Sequence, residues 1–493
     1  MKARHIIALV VLVLAPSLSI RLYPVTSESF QHDAIVSQAA AADGVTANAW
    51  DHPETFENRR FHPPLLSYVI LANNAVFGGG EYRTRFFSII AGALACLAVA
   101  LSTYFILGQG TLALVGAVFG GWMLCLLPVH LYVSRTANWD AIYSLFSVCT
   151  MLGLSVYLQA PKLRTLVWTG IFAALTLLTC ELGLVMLPAF AAVFLVVLRK
   201  STRRGAVWRD WTILFAVTLA AIAILWPAGV LKLDYLRTLR FRLYDSSALE
   251  SNEPWYRFYT ILFEQAPAYT IAMVAGIIAA IGLALRRVRG KQDVGHESKT
   301  VLFALLPFVL YAVMVVLLST RQRLVYIHHI ADLFPALTVV AVVSLVAGLR
   351  RTPSKRVAAA AIAVVTFLGC AAAAFNPDPR VVGPQEHAGY LGIRDFLTGQ
   401  PGAATYYHYD YAMHYYLPDA DVRSGGGRWW TPEKLEGLKR GEFDFVVFDW
   451  SMFDERYPSI HEVAGALEPD YEVVHVVRHR RTGEAVAWIF TRD

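Results

Sequence analysis

Apolar runs recur along most of the chain, and many of them are long enough to cross the ~30 Å hydrocarbon core of a bilayer as a helix. Hydrophobic residues make up 56% of the 493 residues, and charged residues only 16%. The pattern predicts an α-helical polytopic membrane protein with about eleven transmembrane helices. The predicted spans are residues 5–21, 85–107, 111–133, 140–159, 164–180, 181–198, 211–229, 268–286, 300–318, 331–349 and 356–375.

Basic residues set the predicted orientation. They cluster in short connections at 162–164, 199–209, 286–299 and 350–356. Because basic loops stay in the cytoplasm, these connections and the N-terminal end are predicted to lie inside, in a prokaryotic plasma membrane. The net charge of +6 does not indicate a nucleic-acid partner, because the bases fall between apolar runs rather than on one soluble face.

Two apolar stretches need separate interpretation. Residues 5–20 resemble a signal-peptide core, but no clear small-x-small cleavage site follows, so we expect a retained first helix. Residues 64–79 are short, open with Pro63-Pro64 and end in three glycines. They are predicted to form a re-entrant or interfacial helix within a first outer loop that covers 21–84.

The composition changes after Phe375. Strand-like runs at 404–417, 443–450, 471–477 and 485–490 alternate with helical patterns at 384–398, 432–440 and 458–467. We therefore predict two units, a transmembrane domain over 1–375 and a small extracytoplasmic α/β domain over 376–493.

Cysteines give little support for a disulfide framework or a four-thiolate metal site, because all five lie in or at the ends of apolar segments. A zinc site at His408, Asp410 and His414 has suitable spacing, but aromatic strand packing is the simpler interpretation. We expect no cofactor, and leave dependence on a divalent metal open.

Ionisable groups at a membrane boundary are costly to desolvate and are therefore functional candidates. In the predicted topology they converge on the outer face. A carboxylate there can take a proton from an acceptor hydroxyl, while guanidinium groups stabilise a departing phosphate. The candidates are Glu28, Asp33, Arg59, Arg60, His62, Arg135, Asp140, Arg321, Arg323 and His328.

Several motifs together resemble a known family. An acid-bearing first loop is followed by HPPLLSYVI, an Arg-led helix RFFSIIAGALACLAVAL, and SRTANWDAIYSLFSVCTMLGL. This order is similar to the membrane glycosyltransferases of GT-C fold, among them the protein O-mannosyltransferases and lipid A aminoarabinose transferases. The resemblance covers about residues 20–200, and more weakly 250–350.

The resemblance implies an inverting transferase that moves a sugar from a polyprenyl-phosphate carrier to a glycan, lipid or protein acceptor at the outer face. It implies Asp33 as the catalytic base, with Asp140 orienting the acceptor or the loop. Phosphate-binding residues would be Arg135, Arg60, Arg59, His62, Arg321 and Arg323. A substrate groove would include Glu28, Trp255, Tyr256, Tyr326 and His328.

Two departures from the family pattern keep alternatives open. The usual Asp-Glu pair reads Asp33-Ala34 here, so Glu28 is a rival base, and the Lys that some relatives place before Pro-Pro is His62. Asp140 could also cap a helix dipole, and the arginines could bind lipid headgroups. At the level of the whole protein, a lipid or sugar transporter and an inactive scaffold are the alternatives to an enzyme.

Overall fold

The computed structural model describes part of the chain. The described residues are 3–22, 41–42, 44–50, 63–108, 110–234, 236, 260, 263, 266–288, 296–322, 333–349, 368, 389–400, 404–407, 416–417, 422–423, 436, 440, 443–449, 471–478 and 485–492. The predicted span 356–375 therefore lies outside the described residues, apart from Leu368.

Helices dominate the described part of the N-terminal 349 residues. They are α1 (Ala3–Leu22, π-helical over Val10–Leu14), α2 (Gly44–Trp50), α3 (Leu65–Phe77), α4 (Glu81–Thr84), α5 (Phe86–Leu107), α6 (Thr111–Cys125), α7 (Pro128–Val133), α8 (Asp140–Gln159), α9 (Leu163–Thr179), α10 (Leu187–Lys200, after a 3₁₀ turn Glu181–Met186), α11 (Arg204–Leu225), α12 (Pro227–Leu231), α13 (Pro267–Val288), α14 (His296–Gln322) and α15 (Leu333–Leu349).

Within the described residues, five helical segments are long and apolar enough to span a membrane: Ala3–Leu22, Tyr82–Leu107, Asp140–Gln159, Gly183–Lys200 and Arg204–Leu225. Six more apolar helical segments are 10–17 residues long. The protein is thus an integral membrane protein, while the count of about eleven spans stays a prediction. Helix α3 has 13 residues and ends at Gly78 with φ 84°. At about 20 Å it is too short to cross a bilayer by itself, and its re-entrant or interfacial placement stays a prediction.

Three predicted boundaries are wrong. The predicted span 111–133 is two helices, because Leu127 is extended before Pro128, and a residue before proline is disfavoured in the helical region. The predicted first outer loop cannot start at Arg21, because α1 continues to Leu22, whereas the predicted span 5–21 correctly contains that residue. The predicted span 300–318 is too short, because α14 runs from His296 to Gln322.

Helix α1 runs antiparallel to α5, and hydrogen bonds near both ends of α1 connect the two helices. At one end His5 Nδ1 and Tyr104 Oη are 2.6 Å apart. At the other end the guanidinium of Arg21 contacts Cys96. Helix α5 is buried along most of its length and also packs against α6 and α8, so it forms the centre of the main hydrophobic core.

The C-terminal part contains helix α16 (Tyr390–Leu397) and a five-stranded sheet of order β2-β1-β3-β5-β4. The strands are β1 (Thr405–Tyr407), β2 (Val422–Arg423), β3 (Phe445–Asp449), β4 (Tyr471–Arg478) and β5 (Ala485–Arg492). Strand β1 is parallel to β2 and β3, whereas β5 is antiparallel to β3 and β4. Helix α16 and strands β1, β3, β4 and β5 lie where the sequence predicts a helix and strands, whereas β2 was not predicted. That they form a separate extracytoplasmic domain stays a prediction.

One buried apolar cluster connects this sheet to the helical part. It contains Ile393 and Ile489 from the C-terminal elements together with Leu66 of α3 and Trp139, the residue before α8. The sheet therefore packs on the same side of the protein as the first residue of α8.

Candidate active site

The turn between α7 and α8 carries the predicted acid Asp140. This residue begins α8, and its side chain is buried, with 1% exposure. A carboxylate in the first turn of a helix is stabilised by the positive end of the helix dipole. Its Oδ2 also accepts a hydrogen bond of 2.9 Å from Asn138 Nδ2. The helix start and Asn138 therefore fix the orientation of the buried carboxylate.

Arg135 lies in the same turn and is half-buried. Its Nη2 donates to the backbone carbonyl of Ile20 at 2.5 Å, close to the last residue of α1. The last carbonyls of a helix have no partner within the helix, so this bond satisfies one of them. Arg135 thus joins the end of α1 to the Asp140 turn. A role in binding phosphate must use its other N–H groups.

Arg85 is a second cation at this end of the protein, and sequence reasoning did not assign it a role. It is buried, with 5% exposure, at the start of α5. Ser88, one helical turn further on, donates from Oγ to the backbone carbonyl of Asn138 at 3.4 Å. Arg85 therefore begins the helix face that supports the Asp140 turn. In the sequence, a charged residue directly before a long apolar run could have marked Arg85 as a functional candidate.

Arg21 is a third buried cation, with 0% exposure. It donates from Nη1 to the carbonyl and hydroxyl oxygens of Ser17 and to Cys125 Sγ, and from Nη2 to Cys96 Sγ at 3.4 Å and to His130 Nδ1 at 2.8 Å. Arg21 thus connects α1 to α5, α6 and α7 through one buried cluster of polar groups.

His130 is constrained to be neutral in this cluster. A guanidinium can only donate, so the Nδ1 atom of His130 accepts, and the ring carries its hydrogen on Nε2. Burial, together with the positive charge of Arg21, lowers the pKa of His130 well below its ordinary value of 6.5. His130 therefore acts as a neutral hydrogen-bond acceptor for Arg21.

Asp234 is another buried carboxylate that sequence reasoning missed. It has 0% exposure and follows Leu233, which has φ 58°. Positive φ is strained for a bulky residue and often marks a functional segment. The adjacent Lys232 donates from Nζ to the carbonyl of Trp50 at 2.6 Å, so this segment is joined to the first outer loop.

The remaining predicted site residues fall outside the described part of the chain, so their proximity to Asp140 stays a prediction. Arg321 lies in the last turn of α14, and only its backbone is described. The others, which include the possible zinc ligands, are Glu28, Asp33, Arg59, Arg60, His62, Trp255, Tyr256, Arg323, Tyr326, His328, His408, Asp410 and His414. Among the residues that are described, no group of three or more His, Cys, Asp or Glu side chains could hold a metal ion.

Comparison with known proteins places this geometry in a structural class. Residues 61–227 match the family model of dolichyl-phosphate-mannose-protein mannosyltransferases, a stretch that contains Arg85, Arg135 and Asp140. A search of curated proteins found no significant match.

Solved structures match over nearly the whole chain. ArnT from Cupriavidus metallidurans in the apo state aligns with a TM-score of 0.60 and 14% identity, over 97% of each chain. The same protein bound to undecaprenyl phosphate aligns with a TM-score of 0.59 and 15% identity, again over 97% of each chain.

The archaeal oligosaccharyltransferase AglB from Archaeoglobus fulgidus, in complex with an inhibitory peptide and a dolichol-phosphate, aligns with a TM-score of 0.57 and 14% identity. The alignment covers 100% of this chain and 74% of AglB. The chain therefore has the GT-C fold of these membrane glycosyltransferases, which confirms the resemblance inferred from the sequence motifs.

Proposed function

We propose that this protein transfers a sugar from a polyprenyl-phosphate carrier to an acceptor on the outer face of a prokaryotic plasma membrane. The observation that carries the proposal is the buried carboxylate of Asp140, in a turn that also carries Arg135 and that Ser88 of α5 supports, within the segment that matches the mannosyltransferase model. Carboxylates and guanidiniums at one membrane boundary suit proton removal and phosphate departure. The undecaprenyl phosphate bound to ArnT and the dolichol-phosphate bound to AglB support a lipid-linked donor.

The proposed reaction is a single displacement. Asp33 takes the proton of the acceptor hydroxyl, and the acceptor oxygen forms a bond to the anomeric carbon. The bond from that carbon to the phosphate oxygen breaks, and its electron pair leaves with the polyprenyl phosphate. Because one bond forms as the opposite bond breaks, the anomeric configuration inverts.

In this mechanism Asp140 orients the acceptor. Arginine is suited to the leaving phosphate because its planar fork can donate two parallel hydrogen bonds. The donor phosphate would meet Arg135, Arg59, Arg60, His62, Arg321 and Arg323, and the groove for sugar or prenyl chain would include Glu28, Trp255, Tyr256, Tyr326 and His328. The reaction needs no redox cofactor, and a divalent metal is left as a variable of the assay.

Transfer is tested in proteoliposomes that contain the purified protein, a radiolabelled polyprenyl-phosphate sugar and candidate glycan, lipid or peptide acceptors. We expect label on an acceptor. Movement of the labelled lipid across the bilayer without transfer would instead support a transporter, and neither activity would support a scaffold.

The choice of base is tested by Asp33→Asn beside Glu28→Gln. We expect Asp33→Asn to lower transfer by at least about 1000-fold, because the acceptor hydroxyl then has no base, whereas Glu28→Gln retains most of the activity. Asp395→Asn is a matched control, since this exposed carboxylate pairs with Arg394 at 2.7 Å far along the chain. Full activity of Asp33→Asn with loss in Glu28→Gln would reverse the assignment.

A further inference from the structure

Asn138 is a buried amide, with 3% exposure, two residues before Asp140. Both halves of its side chain are engaged within the turn. Nδ2 donates to Asp140 Oδ2 at 2.9 Å, and Oδ1 accepts from the backbone N–H of Trp139 at 2.7 Å. The second bond fixes which end of the amide faces the carboxylate. The asparagine therefore presents a donor, rather than an acceptor, to Asp140.

The backbone of Asn138 is held by α5. Its carbonyl accepts the hydrogen bond from Ser88, and Gly92, four residues further along the same face of α5, lies against the turn. A Cβ atom at Gly92 would lie 2.5 Å from Ser134 Cβ and 3.0 Å from Arg21 Nε. The absence of that atom lets the turn approach the helix closely. Asn138 is thus placed by a rigid transmembrane helix rather than by a loop alone.

A neutral donor has a specific effect on a buried carboxylate. It stabilises the ionised form and restricts rotation of the carboxylate plane, as a positioned hydrogen bond does. Unlike a guanidinium in the same place, it does not cancel the negative charge. The N-cap residue of α8 is Trp139, whose side chain makes no capping hydrogen bond, so Asn138 is the side chain of this turn that binds both the helix start, through Oδ1, and the Asp140 carboxylate, through Nδ2.

We infer that Asn138 is a positioning residue for the transferase, which holds the ionised Asp140 carboxylate in the orientation that receives the acceptor. The inference rests on the proposed function and adds a residue that acts through Asp140 without touching the substrate. Ser88 of α5 donates a hydrogen bond to the Asn138 backbone carbonyl, and the Asn138 side-chain amide donates one to the Asp140 carboxylate.

The variant Asn138→Asp removes the amide donor. It keeps the shape of the side chain and the oxygen that accepts from Trp139, but it places a second carboxyl group, with its charge, beside Asp140. We expect kcat for transfer to fall about 10- to 100-fold, the loss that corresponds to one hydrogen bond to a charged group. The KM for the polyprenyl-phosphate donor should change less than about threefold, because the affected group meets the acceptor.

A double-mutant cycle separates positioning from general damage to the fold. Asn138→Ala should lower kcat about 10-fold or more in the wild-type background and less than about twofold in an Asp140→Asn background, because the two residues act as a pair. Asn73→Ala removes another buried asparagine, whose Nδ2 donates to the carbonyl of Arg83 at 3.0 Å, and should keep kcat within about twofold of the wild type.

The outcomes are distinct. If the wild-type protein transfers sugar and Asn138→Asp retains kcat within threefold, the positioning role is wrong while the proposed function stands. Equal losses from Asn138→Ala with and without Asp140 also overturn the positioning role. If the wild-type protein transfers no sugar from any lipid-linked donor, the proposed function itself is wrong.

Discussion

His130 shows how burial decides the chemistry of a single side chain. Its pKa is lowered well below 6.5, so the folded protein holds fewer protons here than the unfolded chain does at moderately acid pH. The stabilisation is complete above about pH 6.5 and is lost as the pH falls, by up to about 1.4 kcal/mol per pH unit. We expect the thermal midpoint in detergent to decrease below that pH.

The matched variant is His130→Asn. The amide oxygen of asparagine can replace Nδ1 as the acceptor for Arg21, but the side chain does not titrate. The thermal midpoint of the wild-type protein should therefore fall relative to that of His130→Asn as the pH is lowered from 7 to 5. A constant difference across this range would show that His130 is not the titrating group.

At this scale the sequence predicts charged residues better than the groups that support them. Asp140 and Arg135 were identifiable because they interrupt apolar runs in a motif with a family resemblance. Arg21 was placed at the start of a loop, because nothing local shows that Cys96, Cys125 and His130 surround it from other helices. Asn138 had no visible role, since its bond to Asp140 depends on the geometry of the turn.

Helices α13 and α15 cross at Gly276, where the backbones are close. A Cβ atom at Gly276 would lie 2.7 Å from Ala341 Cβ and 2.9 Å from the Ala341 carbonyl oxygen. Gly276→Ala therefore forces the two helices apart, and we expect a loss of about 1–3 kcal/mol, the usual cost of overpacking a core. Small residues at such crossings are typical of membrane helices.

Gly282→Ala on the same helix is the control for Gly276→Ala, because a Cβ atom there would have nothing within 4 Å. Its thermal midpoint in detergent should equal or exceed that of the wild-type protein, since alanine favours helix more than glycine. A decrease of similar size in both variants would contradict the close crossing.

The observed helix boundaries agree with the predicted ones where a polar residue ends an apolar run. The predicted spans 85–107 and 140–159 agree with α5 and α8 to within one residue, because Arg85 and Asp140 limit them. The predicted span 111–133 failed because Pro128 breaks a run that stays apolar on both sides. Hydropathy measures transfer into lipid and does not register a change in backbone direction.

Across the whole molecule, the shared buried cluster relates the C-terminal sheet to the candidate site. Since Ile393 and Ile489 pack in one cluster with Trp139, the sheet and the Asp140 turn lie on the same side of the protein. We predict that alkaline phosphatase fused after Asp493 is active in the periplasm and that a fused green fluorescent protein is dark. The opposite pattern is expected for insertions at Thr202, between α10 and α11.

Cytoplasmic fluorescence of the C-terminal fusion would contradict the predicted orientation. The positive-inside rule predicts that orientation from the sequence. The sequence does not predict that residues of the sheet, of α3 and of the Asp140 turn share one buried cluster. Leu66 and Ile489 belong to one buried cluster although they are more than four hundred positions apart, and such a relation leaves no periodic signal in either segment.

The environment of Arg21 has a consequence for how the protein is made. Cys96 and His130, which surround its guanidinium, lie 75 and 109 residues further along the chain. At about 5–20 residues per second, the ribosome needs roughly 5–20 s to deliver the later of them. During that interval Arg21 cannot form these hydrogen bonds. The order of synthesis therefore sets when the guanidinium can be buried among its partners.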